Sequence, residues 1–334
     1  MTSPKSAARL LALVAALLLA GCAATINGRA EQREREAEAM YPPTGQILNV
    51  DGVQVHAHVE GFGPDLVLLH GASGNTRDFT FSLVEQLRDD YRVIVFDRPG
   101  HGWTDFIGEE PNASPIAQAD LLRAAADQLG ARHPIVLGHS YGASVAMAWA
   151  LRDPDGPAAL VIVSGTTYPW PGEFGRWYPF IRSRFGEGTV IPLITGYAPY
   201  GKAEDWIMRG LFNPQEVPPG YADYIGVGLA ARRESFRANT HQVGALKPYL
   251  AYMAPYYPQL RQPIEILHGN RDRIVGLELN SLAMVSQVPT AHLRVLNGIG
   301  HMPHHAAPAE VVAAIDRAAE RAGLRELHKV RQTR

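Results

Sequence analysis

Ile135-Val136-Leu137-Gly138-His139-Ser140-Tyr141-Gly142-Ala143 is the stretch on which the fold turns. A short aliphatic run reads as a buried strand, a G-x-S-x-G pentapeptide follows at once, and residues 143–152 read as a helix. A strand that turns directly into a helix forces the residue at the apex, Ser140, into a strained backbone conformation. It leaves room only for hydrogens at the flanking positions, which accounts for glycine at 138 and 142. The Ser140 hydroxyl then stands above the strand ends at the start of a helix, where free N–H groups and the helix dipole favour developing negative charge. The bland alternative is a serine N-cap beside a glycine-rich turn.

Working outward, short apolar runs recur at residues 66–69, 93–96, 160–163, 264–267 and 293–296, the pattern of strands buried on both faces. Helical stretches separate them at 75–88, 114–129, 277–287 and 308–324, with Ser114 expected as N-cap and Pro115 at the first helical position. Before them, residues 47–50 and 53–59 flank Asp51-Gly52, the signal for a two-residue hairpin. Such alternation predicts an α/β fold, a mostly parallel, doubly wound sheet with helices on both faces. Residues 166–259 break the rhythm and hold 18 of the 28 aromatic residues. They predict a helical cap, inserted after the sixth strand and lying over the carboxyl ends of the strands, where ligands bind in open α/β sheets. Most of these aromatics are expected to build the cap's own core and some to line a pocket.

A serine hydroxyl needs a base, and the base needs a carboxylate. Asp272 follows the strand at 264–267 in His268-Gly269-Asn270-Arg271-Asp272, and His301 follows the strand at 293–296 in Asn297-Gly298-Ile299-Gly300-His301. Both fall in loops at carboxyl ends of strands, giving the chain order Ser, Asp, His. The loop after residue 163 offers no early carboxylate. His304 and His305 compete with His301, but only His301 directly follows the strand-end Gly-x-Gly. The three clustered histidines show no helical spacing and no neighbouring carboxylate in sequence, so no metal site is expected. His101 and His139 read as packing or loop residues, and Asp97 as an acceptor for backbone donors of its own turn.

With these motifs in place, residues 45–325 resemble the α/β-hydrolase superfamily, capped and esterase- or lipase-like. His70-Gly71-Ala72-Ser73 is similar to its oxyanion loop, and Asp97-Arg98-Pro99-Gly100-His101-Gly102 to its Asp-x-Pro-Gly-x-Gly turn. The resemblance implies an oxyanion hole formed by the backbone N–H groups of Ala72 and Tyr141. Ala306 stands where relatives often carry Glu, which removes a supporting contact but leaves the three catalytic candidates Ser140, Asp272 and His301. The expected chemistry is cofactor-free and metal-free hydrolysis of a small-molecule carboxylic ester with an apolar or aromatic group, through an acyl-enzyme. Lactones, amides, thioesters and perhydrolysis use the same parts. Epoxide- and halide-directed relatives carry a carboxylate at the elbow, which Ser140 argues against. The rival from another class is a catalytically silent, ligand-binding lipoprotein.

Composition bounds the rest. The 334 residues carry 31 basic and 33 acidic side chains, a net charge of −2, so no electrostatic footprint for nucleic acid is present. Cys22 is the single cysteine, which excludes an internal disulfide and a cysteine-based zinc site. Lys5 and Arg9 precede an uncharged run at 10–20 that is short for a bilayer span, the order of a secretory signal. Leu19-Ala20-Gly21-Cys22 resembles a bacterial lipobox. That resemblance implies residues 1–21 as signal, a lipidated Cys22, and attachment in the bacterial cell envelope, with Ala23 favouring the outer membrane. Residues 29–38 alternate charges without an apolar stripe and read, within a tether at 22–44, as a solvated spacer. The expected organisation continues with core 45–165, cap 166–259, core 260–325 and a basic tail at 326–334. Oligomeric state is left open.

Overall fold

A computed structural model describes residues 4–325 except 173, 174 and 176; the basic tail at 326–334 lies outside the described residues. One eight-stranded sheet organises the chain, in the order β1-β2-β4-β3-β5-β6-β7-β8. β1 (Gln46–Val50) and β2 (Val53–Glu60) form the antiparallel hairpin about Asp51-Gly52. β2 joins β4 (Arg92–Phe96) antiparallel. From there β3 (Asp65–Leu69), β5 (Ile135–His139), β6 (Ala159–Val163), β7 (Ile264–Gly269) and β8 (Ala291–Leu296) run parallel. This is the alpha/beta hydrolase fold.

The helices are α1 (Pro4–Met40), then α2 (Arg77–Thr80), α3 (Leu83–Leu87), α4 (Glu109–Ala113), α5 (Pro115–Gln128) and α6 (Tyr141–Arg152) in the first part of the core. Between β6 and β7 lie α7 (Tyr178–Ile181), α8 (Ile191–Tyr197), α9 (Tyr200–Phe212), α10 (Tyr221–Ile225), α11 (Val227–Ala230) and α12 (Arg233–Met253). α13 (Ala283–Gln287), α14 (Pro303–Ala306) and α15 (Pro308–Arg321) complete the chain. Alternate residues of the central strands serve opposite faces. Val67, Leu69, Ile94 and Phe96 pack with α5 and α6, whereas Leu66, Leu68, Val93 and Val95 pack with α3 and α15. Burial on both faces is why these strands lack polar alternation.

One local expectation needs correction. Residues 75–88 form two short helices rather than one, because Phe81 and Ser82 interrupt the run. The interruption puts Asp78 and Phe79 in the interior. Ser114 does cap α5, its side chain accepting from the Ala117 N–H. Arg325, the last residue of the expected core, is paired with Asp90 and Asp316.

The N-terminal segment departs most from the reading of its second half as a solvated spacer. α1 is continuous from Pro4 to Met40. Residues 11–20 are exposed, and Leu11–Met40 is long and apolar enough to cross a membrane by length and composition, which is compatible with a signal or an anchor. The charged half lies against the cap, with Ala30 fully buried and Ala37 nearly so. Two alanines seven residues apart make no visible stripe; between them Arg33 and Glu34 find partners in cap helices distant in sequence, while Arg35 pairs with Glu31 and Glu36 with Gln32 along α1 itself.

Candidate active site

The strand-to-helix turn holds Ser140 at φ 51° and ψ −116°, a strained combination kept only where the surroundings over-determine it. Its N–H donates to Val163 O at 3.0 Å, and its carbonyl accepts from Ala143 N at 3.2 Å and Thr166 N at 3.0 Å. A Cβ at Gly138 would overlap the Gly142 carbonyl, and one at Gly142 would overlap the Leu69 carbonyl. Both glycines are therefore demanded by space, and the second lets α6 approach β3 closely.

The structure brings Ser140, Asp272 and His301 together from three separate loops. His301 Nε2 lies 3.0 Å from Ser140 Oγ, and His301 Nδ1 lies 2.8 Å from Asp272 Oδ2. Asp272 Oδ1 accepts from the N–H groups of Ile274 and Val275 at 2.8 and 3.0 Å. His268 Nε2 approaches Oδ2 at 3.3 Å. Burial alone would raise the Asp272 carboxyl. The hydrogen bonds from His268 and His301 and the backbone outweigh it and hold the group well below the usual carboxylate range. The residue is thus a fixed acceptor facing Nδ1, which directs the other ring nitrogen at the hydroxyl. His268 was not singled out by sequence reasoning, although its place at the end of β7 is the same kind of signal.

The amides of Ala72 and Tyr141 have no protein acceptor among the described residues, and both residues border a cavity with Ser140. The loop that carries Ala72 is held by Arg98. This guanidinium, fully buried, donates to His70 O and Gly71 O at 2.9 Å each and to Gln118 and Gln242 at 2.9 and 2.6 Å. It also lies 4.4 Å from the centroid of the Tyr141 ring. Burial lowers its pKa to about 10. Sequence reasoning missed this role, since nothing local distinguishes a buried arginine from a surface one. Asp97 does accept from Trp103 N in its own turn, and in addition from Thr76 N and His56 Nδ1.

A profile of the alpha/beta hydrolase family matches residues 66–314, well over half of the chain. The chain belongs to the alpha/beta hydrolase family. Among curated relatives it is 25% identical over 276 residues to a pimeloyl-[acyl-carrier protein] methyl ester esterase of Nitrosomonas europaea, covering 78% of this chain and 98% of that protein. It is 26% identical over 273 residues to a 2-hydroxy-6-oxononadienedioate/2-hydroxy-6-oxononatrienedioate hydrolase of Pseudomonas putida, covering 77% and 88%. Of solved structures, a thermophilic esterase from Thermogutta terrifontis superposes with TM-score 0.67 at 24% identity, over 83% of this chain and 99% of that one. A bacterial membrane phospholipase A superposes with TM-score 0.64 at 20% identity, over 96% and 98%.

In this hydrolase the extra histidines have a partner that sequence spacing concealed. Asp78 receives His304 Nε2 at 3.2 Å, His305 Nε2 at 2.9 Å and the Tyr221 hydroxyl at 2.8 Å. The expectation that no carboxylate converges on these histidines is corrected: Asp78 arrives from α2, over two hundred residues earlier. An acid and two imidazoles are donors of the kind that hold a divalent cation; here each Nε2 lies within hydrogen-bond distance of the carboxylate itself. Burial would raise Asp78, but the charge of His304 and the hydrogen bonds from both histidines hold it well below its ordinary value. His139, beside the serine, donates through Nε2 to the His301 carbonyl at 2.9 Å. Burial, with His304 and His301 nearby, depresses its pKa strongly, so it stays neutral and anchors the backbone of the loop that carries His301.

Two cavities of about 340 and 480 Å³ meet at Ser140, Ala72 and Ile274. The first is walled by apolar side chains of the cap, such as Ile194, Met208, Leu211, Val227 and Phe236. The second is lined by Tyr168, Trp170 and Tyr178 with Val243 and Leu246. The expectation that most of these aromatics build the cap's own core is corrected: Tyr168, Trp170, Tyr178, Tyr221 and Phe236 border the cavities, and Trp177, Phe180, Phe185, Tyr197, Trp206, Tyr252 and Tyr256 are exposed, because the cap helices leave one face to solvent.

Proposed function

We propose that the protein is a serine hydrolase that cleaves carboxylic esters bearing an apolar or aromatic group, through an acyl-enzyme on Ser140. The observation that carries this reading is the continuous relay from Asp272 Oδ2 through His301 to Ser140 Oγ, with contacts of 2.8 and 3.0 Å, placed where two apolar cavities meet. Ser140 attacks the acyl carbonyl while His301 takes its proton, and Asp272 stabilises the imidazolium. The oxyanion is held by the N–H groups of Ala72 and Tyr141, a type of contact whose removal costs ~3–4 kcal/mol of transition-state stabilisation. His301 returns the proton to the leaving alcohol and then activates water for deacylation. No step requires a metal or organic cofactor. The two cavities supply one compartment each for the acyl and leaving groups. The ester-directed names of the Nitrosomonas relative and of the Thermogutta neighbour support the choice of bond.

A fluorophosphonate probe tests the reading: covalent labelling is expected in the wild type and absent in Ser140→Ala, with circular dichroism unchanged. Labelling that survives the substitution refutes Ser140 as nucleophile. A panel of p-nitrophenyl esters, lactones and amino-acid amides then decides the bond type, and turnover of amides alone overturns the ester assignment.

We further propose that residues 166–259 act as the cap and that the chain is attached to the bacterial cell envelope through a lipid on Cys22, which is exposed. Two or more long acyl chains make such attachment stable, since each buried CH₂ contributes about 0.8 kcal/mol. The apolar N-terminal helix supports an envelope location, as does the membrane phospholipase neighbour that covers 96% of the chain. Metabolic labelling with a fatty acid is expected in the wild type and lost in Cys22→Ser; equal labelling of both refutes lipidation.

A further inference from the structure

The charged half of α1 meets the two ends of the cap that wall the cavity beside Ser140. On one side, Arg29 Nε donates to Gly196 O at 2.9 Å, and Arg33 donates to Thr195 O and Ala198 O at 3.2 and 2.9 Å. The Thr195 and Gly196 carbonyls belong to the last turn of α8, which lacks partners within its own helix and carries the negative end of the helix dipole. Two arginines four residues apart on α1 therefore close the C-terminus of α8.

On the other side, Glu34 Oε1 accepts from the Arg233 N–H at 2.7 Å, in the first turn of α12. Its carboxylate also takes both Nε and Nη2 of the Arg233 side chain at 2.9 and 2.8 Å. Asn27 binds Arg233 Nη1 at 3.0 Å, and Glu38 binds Arg232 at 3.0 Å. Acid at a helix N-terminus and base at a C-terminus are each the favourable arrangement. The contacts are close: a Cβ at Gly228 would come 2.9 Å from Ala37 Cβ, and one at Gly196 would come 3.3 Å from Ile26 O. The elements so held supply Ile194, Thr195 and Ala198 on one wall of the cavity and Val227, Ala230 and Phe236 on the other.

We infer that residues 26–41 form a strap whose charged side chains fix the spacing of these two walls and thereby set the length of acyl chain the site accepts. The inference rests on the ester-hydrolase reading of Ser140. Cys22, the proposed point of lipid attachment, lies four residues before the strap on the same helix, so the strap joins the anchor to the substrate cavity.

The test uses the full chain in detergent micelles, comparing wild type with Glu34→Arg, the conservative Glu34→Gln, and Arg33→Ala, which acts on the opposite wall. For Glu34→Arg, KM for p-nitrophenyl decanoate is expected to rise at least fivefold relative to that for p-nitrophenyl butyrate, with butyrate kcat within twofold of wild type. Glu34→Gln, which still accepts from the Arg233 N–H, should recover most of the difference. Amide hydrogen exchange should accelerate about tenfold at 227–236 in Glu34→Arg and at 191–198 in Arg33→Ala. An unchanged decanoate-to-butyrate KM ratio in both Glu34→Arg and Arg33→Ala overturns the inference. If the wild type neither labels with the probe nor turns over esters, it is the function of Ser140 that fails. Exchange then decides the strap: acceleration supports its hold on the walls, and unchanged protection refutes it.

Discussion

Asp272→Asn isolates the electrostatic part of the proposed relay with the least change of shape. The carboxylate makes two bonds to backbone N–H groups through Oδ1 and faces two imidazole nitrogens through Oδ2. An asparagine keeps both backbone bonds only by placing its carbonyl oxygen at Oδ1, which turns the NH₂ group toward His301. Reversing the amide would confront two backbone donors with another donor, at ~1–3 kcal/mol for each buried group left unsatisfied. In the favoured orientation His301 must accept at Nδ1. It then carries its proton on Nε2, facing Ser140, and cannot act as base. The loss of charge adds to this. A carboxylate and an imidazolium with charge centres about 4 Å apart attract by about 4 kcal/mol at an effective dielectric constant near 20, which corresponds to ~10³-fold in rate. With the tautomer effect, kcat for p-nitrophenyl butyrate should fall ~10⁴-fold, as in other Ser-His-Asp enzymes. KM and the thermal melt should change little. The assay is steady-state turnover with fluorophosphonate labelling rates measured on the same preparations. A variant within tenfold of wild type in both would refute the relay as drawn.

Other expectations follow from the same geometry. Gly142→Ala places a Cβ on the Leu69 carbonyl and should destabilise the fold by at least ~3 kcal/mol, at the upper end of overpacking effects, measured by urea unfolding; a change under ~1 kcal/mol contradicts the close approach of α6 to β3. Arg98→Met removes a donor from two loop carbonyls and two glutamine oxygens; Gly71 O and Gln242 Oε1 keep His70 Nδ1 and His101 Nε2, whereas the His70 carbonyl and Gln118 Oε1 lose the donor that Arg98 supplied. It should lower both stability, by about twice the ~1–3 kcal/mol of one buried unsatisfied group, and the rate of probe labelling; a variant labelled at the wild-type rate would show that Arg98 does not position the Ala72 loop. Stability should also fall on acidification. The His70 imidazole, buried and close to the Arg98 charge, is held down to about 4, whereas an unfolded histidine titrates near 6.5. Between these values the unfolded chain binds more protons, so stability drops as pH falls, by about 2 kcal/mol from pH 7 to 5 for this residue alone. The buried His101, His139 and His304 are shifted in the same direction. Equal unfolding free energies at pH 7 and 5 would count against that burial.

The strands, the elbow and the loop positions of Ser140, Asp272 and His301 were legible in the sequence because each is a local pattern. Apolar runs of strand length, glycines at an over-tight turn, and polar residues just past a strand end declare themselves within a few positions. Convergence was not local. That His268 supports Asp272, that Asp78 gathers His304 and His305, and that Arg98 spans the Ala72 loop and Gln242 of α12 all depend on which distant segments the sheet order brings together. The N-terminal charges show the limit most clearly. A helix of alternating signs has the same sequence whether water or the ends of two other helices satisfy it. Only the folded cap, by presenting a helix C-terminus to Arg29 and Arg33 and a helix N-terminus to Glu34, decides which. The physical reason is that hydrophobic periodicity and turn chemistry are properties of neighbouring residues, whereas desolvation and charge pairing are properties of the surroundings that the whole chain creates.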